Sequence, residues 1–386
     1  MLVENISIAI VGGGPGGLTL ARLLQQKGAH VKVYERDFDK DVRMQGATLD
    51  LHFESGLKAI EATGLTDAFK ERYRPGAEKG RLLDKHTHIL YDEHDKEGAK
   101  DFGHELFRPE IDRSDLRALL LNSLQPDTLV WDSHVLSLSR QGAQWKLVFK
   151  NGTTATADLV IGADGASSKL RPLVTDAAPF YAGNTILQGN VADAEMKIPG
   201  MFQLLKGGKI YAHSDGKYFH VSQKGDGSID FYISGIMDEN WAKNAVVDFS
   251  DQSQIMTWVR EAFAGWDSLW YTLFEKAGLP ILVRPQYCMP FDQTWAAQPN
   301  ITLLGDAAHI MPPSGEGVNL AMLDALELSE CLTNDAYENI RMAIAAYEEP
   351  MRIRAAAEAR DSLDMVAWMH AEGAQEKMMY FFSQTH

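Results

Sequence analysis

The chain opens on three apolar blocks separated by glycine. Residues 6–11, ISIAIV, are a short β-branched run that predicts a buried parallel strand. The turn Gly12-x-Gly14-x-x-Gly17 follows, and then a stretch whose apolar face carries Leu18, Ala21 and Leu24 at helical spacing. After Gly28, residues 31–34 predict a second strand that ends in Glu35. Gly12 permits the tight turn, Gly14 lets backbone come close to a pyrophosphate, and Gly17 lets the helix pack hard on the strand. Free N–H groups at the helix start face phosphates, and Glu35 stands where an acidic side chain grips an adenosine ribose. A bare GxGxxG is weak evidence. Strand, helix, second strand and acidic residue in order predict dinucleotide binding.

The pattern then breaks. Residues 36–45 lack apolar periodicity and read as a loop; 47–51 extend briefly, and 56–62 suggest a short helix. Residues 80–91 hold two strand-like pieces before the charged run 92–101, an excursion from the first domain ending in a solvated loop. Helical spacing returns at 108–124, with Leu116, Leu119 and Leu120 apolar. Segments 128–132, 134–139 and 144–149 predict a small meander, with Asn151-Gly152 as a hairpin signal, and 159–163 is another buried strand ending at Asp164-Gly165. Between 180 and 273, the turns Gly207-Gly208, Asp215-Gly216 and Asp226-Gly227 separate strands of an antiparallel sheet. Helices are expected at 251–264, 317–332 and 336–371, strands at 281–289 and 301–304, and Pro350 starts or kinks a helical segment.

Composition narrows the partners. The 386 residues are 45% apolar and 23% charged, ordinary for a globular protein with room for two or three cores. A net charge of −16 argues against nucleic acid or an anionic membrane as partner. Two distant cysteines, Cys288 and Cys331, suggest a reducing compartment and no zinc site. No apolar run reaches the ~18 residues of a membrane span. No signal peptide is visible, so a cytoplasmic location is expected.

Two later stretches carry the chemistry, 158–171 (DLVIGADGASSKLR) and 301–324 (ITLLGDAAHIMPPSGEGVNLAMLD). Each is an apolar strand that ends in an Asp-Gly or Gly-Asp pair before a turn. A carboxylate at a strand's C-terminal end can accept from sugar hydroxyls, at the edge where open α/β sheets bind ligands. The second stretch opens a helix at Gly315-x-Gly317-x-Asn319, whose N-terminus would stabilise negative charge on a reduced flavin ring, were the ligand a flavin.

Together, in this order, the three stretches resemble the class A flavoprotein monooxygenases of the para-hydroxybenzoate hydroxylase type. The resemblance spans almost the whole chain. It rests on GxGxxG with Glu35, on Asp164-Gly165-x-x-Ser168-x-x-Arg171, and on Gly305-Asp306-Ala307-Ala308-His309. It implies an α/β fold: a Rossmann-like FAD-binding domain built from 1–65, 101–179 and 270–345. An α+β substrate domain with an antiparallel sheet would span 180–269, joined by the excursion 66–100, and a long C-terminal helix would occupy 346–386. Within the family, VYERD at 33–37, TLDLH at 48–52, DLRALLLNSL at 115–124, PGMFQL at 199–204 and GDAAHIMPP at 305–313 are similar to the tetracycline-inactivating monooxygenases.

That similarity implies FAD contacts for Asp50, Arg113 and Asp306, beside Gly12, Gly14, Gly17, Glu35 and Arg36 of the first motif. Asp164 serves FAD and NADPH in the second motif, and Gly317 and Asn319 open the helix of the third. Arg43 would meet transiently docked NADPH, and Gln188 the substrate. Lys209 and Asp230 stand where the family has substrate-contacting Arg and His, and Pro312 or Pro313 takes the family's proline position. The implied reaction spends NADPH and dioxygen to hydroxylate an enol or phenol carbon of a polycyclic, tetracycline-like substrate through a flavin hydroperoxide, by a monomer with no metal and no catalytic side-chain set. An aromatic or polyketide hydroxylase, an FAD-dependent reductase and a non-catalytic flavin protein stay open.

Plainer roles exist for the same residues. His309 reads as a hydrogen-bonded structural histidine rather than a base. Asp306 can be a helix cap, and Arg43 and Arg113 ordinary surface arginines. Met365, Trp368 and Met369 read as packing, and Lys209 and Asp230 as either solvated strand faces or site residues.

Overall fold

A computed structural model describes residues 2–40, 46–95, 101–244 and 247–384. Arg43 lies outside the described residues. Among these, the strands form four sheets. The parallel sheet runs in the order Ile301–Leu303, Leu159–Gly162, Ser7–Val11, His30–Tyr34, Leu129–Val130. Ser7–Val11 is flanked on both sides and buried along most of its length, which accounts for its unbroken apolar run. The Leu129–Val130 segment departs from expectation. It joins this sheet in parallel beside Val33 and Tyr34, while the antiparallel meander consists of Val135–Gln141, Gln144–Phe149 and Thr154–Ala157. Two-residue strands carry no period, so only the pairing assigns them.

The glycine turn obeys hard sterics. Gly12 has φ +113°, and a Cβ there would lie 2.2 Å from the Ala163 carbonyl oxygen. A Cβ on Gly17 would lie 2.2 Å from the Gly12 carbonyl oxygen. Any side chain at either place would push helix Pro15–Gln26 off the strand.

The large sheet has seven strands in the order Leu282–Cys288, Phe180–Val191, Ile229–Ile236, Lys217–Gln223, Lys209–Ser214, Gly80–Leu83, Ile89–Asp92. It therefore takes a strand from beyond residue 269 as well as the 66–100 excursion. Alternation divides its faces. Leu187, Ile210, Phe219, Val221, Phe231 and Ile233 point one way, into a core shared with helices Pro199–Leu205, Gln252–Ala262 and Ser268–Glu275. The residues between them turn a polar, aromatic face towards a two-stranded ribbon, Leu49–Asp50 with Glu110–Ile111, in which Asp50 pairs with Glu110.

The last part differs from the single long helix expected over 346–386: it is two helices. One helix, Ile340–Met369, passes through Pro350, and a second, Ala374–Gln384, returns to the large sheet. There Phe382 is buried beside Leu82, and the Tyr91 hydroxyl donates to its carbonyl at 3.0 Å. Among the described residues no helix is long and apolar enough to cross a membrane.

Candidate active site

The glycine loop presents an open helix start. Gly14 is the N-cap of Pro15–Gln26, and among the described residues no side chain caps that end and no atom comes within 4 Å of a Cβ placed on Gly14. Glu35, 4% exposed, braces this loop: its Oε2 accepts from Gly13 N at 2.6 Å and its Oε1 from Asp37 N at 3.0 Å. Each carboxylate oxygen keeps a second lone pair for a sugar hydroxyl. Arg36 is exposed next to it.

The second and third motifs are clasped together by Arg171. Ser168 Oγ accepts from the Leu170 and Arg171 amides and orients the start of the short helix Arg171–Val174. From there the guanidinium donates to the Ala307 carbonyl through Nε and to the Asp306 carbonyl through Nη2, both at 2.7 Å. Asp164 Oδ2 accepts from Lys169 N at 2.7 Å, while its buried Oδ1 has no partner among the described residues. Burial raises the Asp164 pKa.

Asp306 is exposed at the start of the short helix Asp306–His309, and among the described residues no side chain caps that helix. Desolvation by the surrounding protein raises its pKa, against the pull of His309, Arg113 and Arg171. Arg113 approaches from helix Arg113–Asn122, its Nε 2.7 Å from where a Cβ on Gly46 would lie. The Arg113 charge reaches Asp306 and favours its ionised form. Behind Asp306, Asp324 Oδ2 accepts from both Gly305 N (2.9 Å) and His309 Nε2 (2.6 Å). Its Oδ1 takes Arg354 Nη2 at 2.9 Å, and Arg354 also grips Glu327. Burial alone would lower the His309 pKa, but the carboxylate of Asp324 raises it above the ordinary histidine value.

Asn319 is fully buried and its side chain is committed to backbone. Its Oδ1 accepts from His52 N (2.9 Å), and its Nδ2 donates to the Asp50 (2.9 Å) and Gly315 (3.2 Å) carbonyls. That side chain ties the ribbon to the Gly315 turn. Gly317, exposed and with open space at its Cβ position, starts helix Gly317–Leu332 with no side-chain cap among the described residues. Asp50 is a deep carboxylate flanked by cations. Burial would raise its pKa, yet Lys209 and then His52 hold it well below the usual range. His52 bonds Asp50 Oδ2 through Nε2 and Glu316 Oε1 through Nδ1, each at 3.0 Å.

The two residues expected in place of the family's Arg and His have interior partners. Lys209 Nζ donates to Glu110, a fully buried carboxylate, and lies close enough to Asp50 to stabilise its charge. Asp230, 1% exposed, accepts from Asn190 Nδ2 at 2.7 Å and has Lys224 Nζ at 3.9 Å. Both thus have partners within the chain, as a buried charge demands, and Asp230 Oδ2 keeps no hydrogen-bond partner among the described residues. Pro312 is buried and Pro313 exposed.

Gln188 does face the polar side. Its Nε2 donates to the Tyr232 hydroxyl at 3.1 Å, and that hydroxyl accepts from Ala47 N at 2.9 Å. Strand register continues this row: Gln188 opposite Tyr232, Tyr232 opposite His220, His220 opposite Tyr211. The His220 ring stacks on Tyr211 with centroids 5.1 Å apart, and His213 stacks on Tyr218 at 4.7 Å. Burial pushes His220 down to about 3, helped by Lys209, and His213 down to about 4; Tyr211 is pushed up to about 12. Near neutral pH this row is uncharged. Sequence reasoning missed it, although aromatic and histidine residues at alternate positions of three neighbouring strands were the signal.

The residues present fit a dinucleotide cofactor. An open helix start, a carboxylate oxygen without a partner and an exposed Asp306 converge on the C-terminal edge of the parallel sheet. Comparison with known proteins agrees. The family model described as "FAD binding domain" matches residues 5–357. The monooxygenase penA of Penicillium thymicola is 29% identical over 413 residues, covering 91% of this chain and 92% of that protein. In structure, HpxO of Klebsiella pneumoniae, solved with FAD and uric acid, superposes with TM-score 0.75 at 21% identity, covering 99% and 93% of the two chains. The tetracycline destructase Tet(51) gives TM-score 0.74 at 18% identity, covering 98% and 95%. At that identity the last two speak for the fold alone. This chain belongs to the FAD-binding domain family, among the class A flavoprotein monooxygenases.

Proposed function

We propose that the protein is an NADPH-driven, FAD-dependent hydroxylase of an electron-rich enol or phenol carbon in a flat polycyclic substrate of the tetracycline type. The observation that carries this reading is the uncharged row Gln188–Tyr232–His220–Tyr211 facing the ribbon of the cofactor domain. FAD, reduced by NADPH, would activate dioxygen, one atom of which goes to the substrate as hydroxyl while the other leaves as water. The chain's task is to hold and to orient. Asp306 accepts from the cofactor's sugar-like chain, Arg113 offsets its phosphates, and the helix start at Gly14 offers free amides to the pyrophosphate. Gln188 and the Tyr232 hydroxyl give a substrate oxygen both a donor and an acceptor, while the Tyr211 and His220 rings form a flat wall. A neutral wall does not repel an enol oxygen as it ionises, and ring stacking favours an extended planar ligand. The tetracycline choice rests on the TLDLH and GDAAHIMPP segments. Arg43 is assigned to NADPH on the same similarity.

The test is incubation with tetracycline, NADPH and air, read by mass spectrometry and oxygen uptake. A product one oxygen heavier, with Gln188→Ala raising KM more than it lowers kcat, is expected. NADPH consumption with an unchanged tetracycline mass would remove tetracycline and leave another aromatic or polyketide hydroxylase. Reduced protein that consumes no oxygen with any aromatic substrate points to a reductase or a ligand-sequestering flavoprotein.

A further inference from the structure

His52 has an environment that the proposed reaction does not use. It touches no part of the neutral row, yet carboxylates surround it from three elements. Asp50 reaches it from its own ribbon and Glu316 from the turn before helix Gly317–Leu332, both at 3.0 Å. Glu358 of the long helix Ile340–Met369 feels the His52 charge as well, along with the charges of Glu316, Asp361 and Arg354. On its far side Asp50 faces Lys209. The His52 amide is fixed to Asn319 Oδ1, so backbone and ring are both anchored. With Oδ2 of Asp50 held by the ring, Oδ1 is directed to the Gly315 turn, 4.0 Å from where a Cβ on Gly315 would lie.

We propose that His52, as an imidazolium, is a positioning residue of the cofactor cleft: it locks Asp50 and Glu316 together, so that the ribbon and the Gly315–Gly317 turn meet FAD as one preset surface. The inference rests on the FAD assignment alone and is independent of the substrate. Removing the cation leaves Asp50 and Glu316 as two carboxylates facing each other across a neutral side chain, which drives the turn and the ribbon apart. Burial would lower the ring's pKa, but the hydrogen bonds to Asp50 and Glu316 raise it to about 9. The lock is therefore closed at neutral pH and opens as pH rises through that value.

FAD dissociation constants measured by flavin fluorescence, without substrate or NADPH, test this. At pH 7, His52→Gln is expected to weaken FAD binding roughly ten- to a hundredfold, the effect of losing a charge-assisted hydrogen bond. His52→Lys, which keeps a cation without the two-sided geometry, should recover part of that loss. In the unaltered protein the affinity should fall between pH 7 and 9.5, and in His52→Gln this fall should be absent. Ionisation of FAD itself is common to both proteins and cancels in the difference. Equal affinity of His52→Gln and the parent at pH 7, or the same fall with pH in both, overturns the proposal. If His52→Gln does not fold, the parent's own profile decides: an affinity flat through pH 9 overturns it. A parent that binds no FAD at any pH contradicts the cofactor assignment instead.

Discussion

Four buried or half-buried histidines divide the molecule into two electrical regions. On the cofactor side, His52 lies between Asp50 and Glu316 and His309 against Asp324, and both are raised in pKa. On the large sheet, His213 and His220 stack on tyrosines with no carboxylate bonded to their rings, and fall to about 4 and about 3. Burial opposes charge in all four. What differs is the partner, and a carboxylate within hydrogen-bond reach reverses the outcome. One wall of the cleft is thus built from fixed charge, suited to a phosphate-bearing cofactor. The facing wall is neutral and aromatic, suited to a flat organic ligand.

The contrast is broken most severely at Asp324. Asp324→Ala would leave His309, Arg354 and the Gly305 amide without their shared acceptor, and it should cost about 3–5 kcal/mol in urea unfolding. A loss under about 1 kcal/mol would mean that His309 does not depend on Asp324. The next effect concerns Lys209, a largely buried cation on the polar face of the large sheet. Lys209→Met should cost about 3 kcal/mol by stranding Glu110, and Lys209→Met with Glu110→Leu should recover most of it. A double-mutant cycle with no coupling would show that Lys209 does not serve Glu110. The smallest effect is in pH dependence. A buried histidine with a lowered pKa binds fewer protons than the unfolded chain, so stability falls as pH drops from about 6.5 towards 3 or 4. His220→Phe should lose about 1.6 kcal/mol less than the parent between pH 6.5 and 5. Parallel melting curves would rule out a neutral His220 as the source.

The motifs of the cofactor side were legible because their physics is local. Gly12 and Gly17 must be glycine for reasons contained within one turn and one helix, and the Asp164 and Asp306 stretches announce themselves as strand ends. The alternation of the large sheet was also readable, since KIYAHS and IDFYISGI carry a period of two. Partners were not. Nothing near Lys209 in sequence reveals Glu110, 99 residues earlier, or distinguishes a solvated lysine from a buried one. Asn319 occupies a motif position, yet its amide serves backbone 267 and 269 residues away in the chain. The Leu129–Val130 strand was misplaced for the same reason, being too short to show a period and defined only by what it pairs with.

The parallel sheet has a consequence for how the chain matures. Ser7–Val11 is made first, but one neighbour, Leu159–Gly162, arrives some 150 residues later, and that strand's outer neighbour, Ile301–Leu303, later still. The apolar edge of Leu159–Gly162 therefore stays open until Ile301–Leu303 has been made, some 140 residues later. Such long-range closure is slow and leaves sticky edges exposed. A net charge of −16 sets such chains against one another by mutual repulsion, which opposes association through that open edge.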